Sequence, residues 1–160
     1  MQLKKGIYMK VYKLKFKQEI NSDIDKVFNF FSNAENLAKI TPKKLGFKIL
    51  TPLPIKMKEG QLIDYTIKLI GKEIRWRTII TEYEPNVKFV DQQLKGPYSM
   101  WHHTHEFKEV DGKVEMTDTI YYVMPFGLLG RIVNYLIVRN DLNNIFKYRL
   151  KIINQLFDTN

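Results

Sequence analysis

Between Leu62 and Met124 five strand-like segments follow one another with almost nothing between them. This run limits the fold more than any other feature of the chain. The segments cover residues 62–70, 74–84, 88–94, 99–110 and 113–124, and the joints read "GK", "PN", "KGPY" and "DG". Such joints suit hairpins, whereas a parallel return needs a dozen residues or more. The run therefore predicts an antiparallel meander. One face of such a sheet must be covered. The cover comes from the C-terminus, where the spacing after "MPFG" turns helical for about thirty residues. Leu128, Ile132, Tyr135, Leu136, Leu142, Ile145, Phe146, Arg149, Ile152, Ile153 and Leu156 recur there three or four apart, so Ile132, Leu136, Phe146 and Ile153 are expected against the sheet.

Upstream, residues 10–20 alternate as a strand whose Lys13, Lys15 and Lys17 face solvent. "NSDIDKVFNFF" then changes to helical spacing, with Asn21 or Ser22 as cap and Ile24, Val27, Phe28 and Phe31 on one face. A second short helix around 35–40 stops at "TP", and 47–50 is a short strand. The order is one strand, two short helices, six strands and one long helix. That is an α+β architecture: a curved antiparallel sheet of about seven strands wrapped around a long C-terminal helix. No linker or repeat divides residues 1–160, which read as a single domain. Residues 1–8 are expected to be a flexible leader, and Met9 is a second candidate for the start.

Counting outward from each turn gives the register. A two-residue "DG" turn puts Val110 opposite Lys113, hence His105 opposite Asp118, His103 opposite Ile120 and Trp101 opposite Tyr122. A turn centred on Pro97 puts Gln93 opposite Trp101 and Asp91 opposite His103. "PN" puts Glu82 opposite Phe89 and Ile80 opposite Asp91, and "GK" puts Trp76 opposite Ile67. Opposed residues share a face. The face carrying Trp76, Ile80, Phe89, Trp101, Phe107 and Tyr122 is the interior, and Glu82, Asp91, Gln93, His103, His105 and Asp118 come with it. His102, with Arg75, Arg77 and Thr104, falls on the reverse. Buried ionisable groups cost several kcal/mol each unless paired. Asp91 beside His103 and His105 beside Asp118 meet that demand. A solid core has no use for such a set, whereas a cavity does.

All three histidines of the chain lie in "WHHTHEF". His103 and His105, two apart on a strand, share a face with Cα atoms about 7 Å apart, a spacing that can chelate a metal. "HTHEFKE" adds Glu109, but no second metal motif accompanies it, and a hydrogen-bonded His/Asp network with no metal and no cofactor is the expectation. The chain has no cysteine, no phosphate loop and no dinucleotide fingerprint; "GLLG" reads as a helix start. If chemistry occurs, His103, His105 and Asp118 are the candidates for moving protons. The net charge of +9 is spread along the chain with no nucleic-acid signature. There is neither a signal-like run nor a membrane-length apolar stretch, so the expected place is the cytoplasm.

The motifs "FFSNAENLAKITP", "RWRTIITEYEPNVKFVDQQLKGPYSMWHHTHEF", "MTDTIYY" and "MPFG" resemble bacterial members of the START-related, polyketide-cyclase-like superfamily (SRPBCC). The resemblance covers nearly the whole chain from Met9, and "GPY" followed by Trp101, His103, His105 and Phe107 is its most specific part. It implies a helix-grip fold with a deep cavity between the long helix and the sheet. It also implies a hydrophobic or amphipathic ligand, such as a lipid, isoprenoid or polycyclic aromatic. Trp76, Glu82, Asp91, Gln93, Trp101, His103, His105, Asp118, Tyr122 and Arg149 are the expected ligand-binding residues. The competing expectation is a cyclase, dehydratase or hydrolase using the same His/Asp cluster. The expected state is a monomer or weak dimer, without nucleic acid and with at most transient contact to an anionic membrane.

Overall fold

The computed structural model describes residues 9–157, and the expected leader at 1–8 lies outside them. Seven antiparallel strands form one sheet: β1 (Val11–Ile20), β2 (Lys48–Ile49), β3 (Leu62–Leu69), β4 (Lys72–Glu84), β5 (Lys88–Lys95), β6 (Met100–Val110) and β7 (Lys113–Val123). Their spatial order is β1-β7-β6-β5-β4-β3-β2, so the meander closes on the first strand. Helix α1 (Ile24–Ser32) follows β1, and short 3-10 turns at Ala34–Ala38 and Lys43–Leu45 lead to β2. Asp23 caps α1, its carboxylate accepting from Lys26 N at 2.7 Å. The chain ends in a long helical stretch: α2 (Gly127–Val133), a π turn (Asn134–Val138) and α3 (Arg139–Phe157).

The "DG" turn behaves as the sequence predicts, with Asp111 and Gly112 both at positive φ and Val110 opposite Lys113. Lys13, Lys15 and Lys17 are exposed along β1. Two other turns differ. The first hairpin turns on Ile70–Gly71 rather than on Gly71–Lys72, so Trp76 lies opposite Tyr65 and Ile67 opposite Ile74. The difference is two residues, and every side chain keeps its face.

At "PN" the two-residue turn fails. Val87 N donates to Glu84 O at 3.1 Å, with Asn86 left-handed at φ 63°, the arrangement proline and asparagine favour in a type II turn. Strand pairing then resumes at Glu84 opposite Lys88, which puts Tyr83 opposite Phe89 and Glu82 opposite Val90. A bulge at Thr81 restores Ile80 opposite Asp91. Glu82 is therefore turned outward, where it pairs with Lys88 at 2.6 Å. It belongs to the surface and not to the expected site.

The concave face holds two large apolar clusters. One joins Ile20, Val27, Phe28, Phe107, Met116, Ile153 and Phe157; the other joins Leu14, Trp76, Trp101, Ile120, Tyr122, Leu142 and Phe146. Phe146 and Ile153 thus face the sheet as expected. Ile132 and Leu136 do not: both are exposed. The helix touches β7 through Asn134, whose side chain bonds Tyr122, the penultimate residue of that strand. The inward line of this stretch runs through Gly130, Asn134 and Leu142, four or eight residues apart, and Ile132 and Leu136 each lie two residues from Asn134, on sides of the helix turned away from it. Gly130 packs tightly on the loop after β7, since a Cβ there would sit 1.9 Å from the Pro125 carbonyl oxygen.

Candidate functional site

Between the helix and the sheet lies a cavity with roughly 1270 Å³ of empty space, its open mouth included. The sheet contributes Tyr65, Trp76, Thr78, Phe89, Asp91, Trp101, His103 and His105 to its wall. The helix contributes Leu142, Ile145, Phe146 and Arg149, and the segment after β1 closes it with Phe30, Leu37 and Ile40. Aromatic rings dominate. Trp76 and Trp101 meet edge to face at 5.5 Å, Tyr65 stacks on Trp76 at 5.8 Å, and Tyr98 packs on Trp101 at 4.9 Å.

His103, His105, Asp91 and Asp118 form one cluster. The backbone register is the one the turns predict, with Asp91 opposite His103 and His105 opposite Asp118. The main side-chain bonds nevertheless run diagonally. His103 Nε2 lies 2.8 Å from Asp118 Oδ1, and His105 Nε2 lies 2.8 Å from Asp91 Oδ2. Diagonal neighbours on adjacent strands are within reach of side chains this long. The expected pairs remain adjacent: His105 Nδ1 is 2.9 Å from Asp118 Oδ1, out of line for a hydrogen bond, and His103 Nδ1 is 3.4 Å from Asp91 Oδ2. The two rings pack 3.8 Å apart, and Phe89 stacks on His105 at 4.1 Å.

Burial opposes every charge in this cluster, and the neighbours decide the outcome. For Asp118 and Asp91 the histidine contacts outweigh burial and hold both carboxyls below the usual range. Burial and the charge of His105 push His103 down. His105 suffers the same burial, but its two carboxylate partners outweigh it and raise it. The neighbouring imidazoles are driven apart. Burial also pushes the Tyr65 phenol far above its ordinary value.

The remaining expected residues separate. Trp76, Asp91, Trp101, His103, His105 and Arg149 line the cavity. Asp118 stands behind the histidines, and Tyr122 packs against Trp101 with its hydroxyl given to Asn134. Gln93 holds the β5–β6 loop instead, its Nε2 donating to Tyr98 O at 2.7 Å. His102 faces away with Thr104. Arg149 has no carboxylate within ion-pair distance among the described residues. Its Nε is buried without a hydrogen-bond partner, and its guanidinium carbon sits 4.9 Å from the Phe146 ring centre. Asp91, His103 and His105 place one donor atom each within 4.8 Å of one another, so these three are the residues that could ligate a cation.

The sequence reading missed Tyr65 and Thr78. Alternation back from Ile67 places Tyr65 inside, and alternation on from Trp76 places Thr78 there. It also missed Tyr98, a loop residue for which no periodic signal exists.

No family model and no curated protein sequence matches the chain. Solved structures do. Protein CV1439 of Chromobacterium violaceum matches with a TM-score of 0.70 at 12% identity, over 92% of this chain and 98% of that one. Major latex-like protein 151 of Panax ginseng matches with a TM-score of 0.67 at 12% identity, over 92% and 97%. Ara h 8.0201 matches with a TM-score of 0.66 at 13% identity, over 94% and 100%. At such identities the likeness is one of fold: the helix grip expected from the sequence, an antiparallel sheet of seven strands around a long C-terminal helix.

Proposed function

We propose that this chain is a single-domain binding protein for an amphipathic small molecule, acting in the cytoplasm as a monomer or weak dimer and without nucleic acid. The hydrocarbon or ring body lies among Trp76, Trp101, Tyr65 and Phe146. The polar end meets Arg149, Asp91, His103 and His105. The observation that carries this reading is the combination of an aromatic-walled cavity with an arginine inside it that has no carboxylate partner among the described residues. A cation half-buried among apolar groups is stabilised by an incoming polar or anionic group.

Denaturing mass spectrometry of an organic extract of the purified protein tests this directly. A co-purified lipid or aromatic is expected. In parallel, Trp101→Ala should weaken binding of hydrophobic fluorescent probes more than it lowers the melting temperature. An empty protein whose probe binding is untouched by Trp101→Ala overturns the reading.

Catalysis on the same cluster is the second reading. What favours it is the divergence of the two histidines, one pushed down and one up, as a donor and an acceptor of protons require. Conversion of the co-purified molecule on incubation, lost in His103→Gln, would establish it.

A further inference from the structure

The start of the C-terminal helix carries apolar side chains that no described residue covers. Leu128 is 70% and Tyr135 81% exposed, and Phe126, in the turn before, is 83% exposed. Leu129 and Leu136 lie beside them, also exposed. Contiguous exposure of this kind marks an interaction surface rather than ordinary surface texture.

Strand order brings more of the same to this end of the molecule. β7 leaves the sheet where β1 begins, where β5 passes to β6, and where the β3–β4 turn lies. Val11, Leu94 and Ile70 stand exposed on those segments, Ile70 at 88%. The charge is one-sided. Lys10, Lys72, Lys95, Arg131 and Arg139 are exposed on these segments, against Glu73 and Asp141.

We propose that this end docks on the surface of an anionic lipid bilayer. The start of the helix lies at the headgroup level, Leu128, Leu129 and Phe126 enter the acyl boundary, and the basic side chains meet lipid phosphates. This goes beyond small-molecule binding and does not depend on what fills the cavity.

Three observations select the occupant. A second copy would bring a second set of Lys10, Lys72, Lys95, Arg131 and Arg139 onto the face with only Glu73 and Asp141 to answer them, so two copies of this end repel. The apolar side chains come from separate segments, which a fluid interface accommodates without a matching shape. The association is superficial, because no helix among the described residues is long and apolar enough to cross a membrane.

The test is co-sedimentation of the full chain with vesicles of phosphatidylcholine alone and of phosphatidylcholine mixed with phosphatidylglycerol. Binding about tenfold stronger to the mixed vesicles is expected, and added salt should weaken it. The double variant Leu128→Ser, Leu129→Ser should lose that binding with its melting temperature and its neutral-probe binding intact. Arg131→Gln with Arg139→Gln should lose the preference for anionic lipid. Equal binding to both vesicles, no binding to either, or unchanged binding by the serine variant overturns the proposal. So does a dimer in light scattering that the serine variant dissolves, since a second copy would then own the face.

Discussion

Tyr122 gives its hydroxyl hydrogen to Asn134 Oδ1 at 2.8 Å, and both residues are buried. The bond joins the last strand to the helix near that strand's C-terminal end. Tyr122→Phe keeps the ring and removes the donor, leaving a buried amide oxygen without its partner. A loss of about 1–3 kcal/mol is expected in denaturant unfolding. Probe binding should be unchanged, because Tyr122 does not line the cavity.

The histidine pair makes stability depend on pH with two opposite limbs. His105 is raised in the folded chain, so it binds more protons there than in the unfolded chain above its ordinary value of about 6.5. Its contribution is complete below that value and is lost as pH rises through the folded pKa. His103 is lowered, so the unfolded chain takes up more protons below about 6.5, and stability falls as pH drops toward the folded pKa. The lowered carboxyls of Asp91 and Asp118 add a loss at still lower pH. The cluster's contribution should therefore peak near pH 6.5, as melting temperatures across pH would show. Asp118→Asn should flatten the alkaline limb; a limb of unchanged slope would show that His105 is not its source.

Asp118 stands behind both histidines and bonds His103, whereas His102 points to the other face. Asp118→Ala should cost about 3–5 kcal/mol, the usual result of removing one partner from a buried charged network. His102→Ala should stay within about 0.5 kcal/mol of the parent. Because the ring nitrogens already meet carboxylates, a metal would have to displace those contacts. Elemental analysis should find no stoichiometric metal, and EDTA should leave the melting temperature unchanged. One equivalent of zinc or iron would reassign Asp91, His103 and His105 as ligands.

Much of this arrangement is legible in the sequence, and the reasons differ by residue. Asp111–Gly112 specifies its turn locally, so the pairing of β6 with β7 followed by counting. Glu82 was misplaced because "PN" permits more than one loop, and the bulge at Thr81 that repairs the register has no signature in the sequence. Ile132 and Leu136 fit the helical spacing, but the inward line passes through Gly130 and Asn134 instead, and the π turn at Asn134–Val138 that shifts the helix phase has no signature in the sequence. The diagonal bonding of the histidines was likewise invisible, because register fixes Cα partners while rotamers choose among carboxylates two residues apart.

In the proposed binding role, Arg149 selects the polar end of the ligand. Glu82 is held outside by Lys88, and Asp91 is engaged by the histidines. The guanidinium is left over Phe146, close enough to Asp91 and Tyr65 to act on both electrostatically. A carboxylate entering the cavity gives it a charge-assisted partner; an ester of the same skeleton does not. A fluorescent polyene fatty acid and its methyl ester make the comparison with the hydrocarbon held constant. The acid should bind the parent about tenfold more tightly, about 1.4 kcal/mol. Arg149→Gln should erase that difference and leave the ester's affinity in place. If the ester weakens as much as the acid, the side chain serves by packing its stem along the cavity wall, and the charge-recognition role falls.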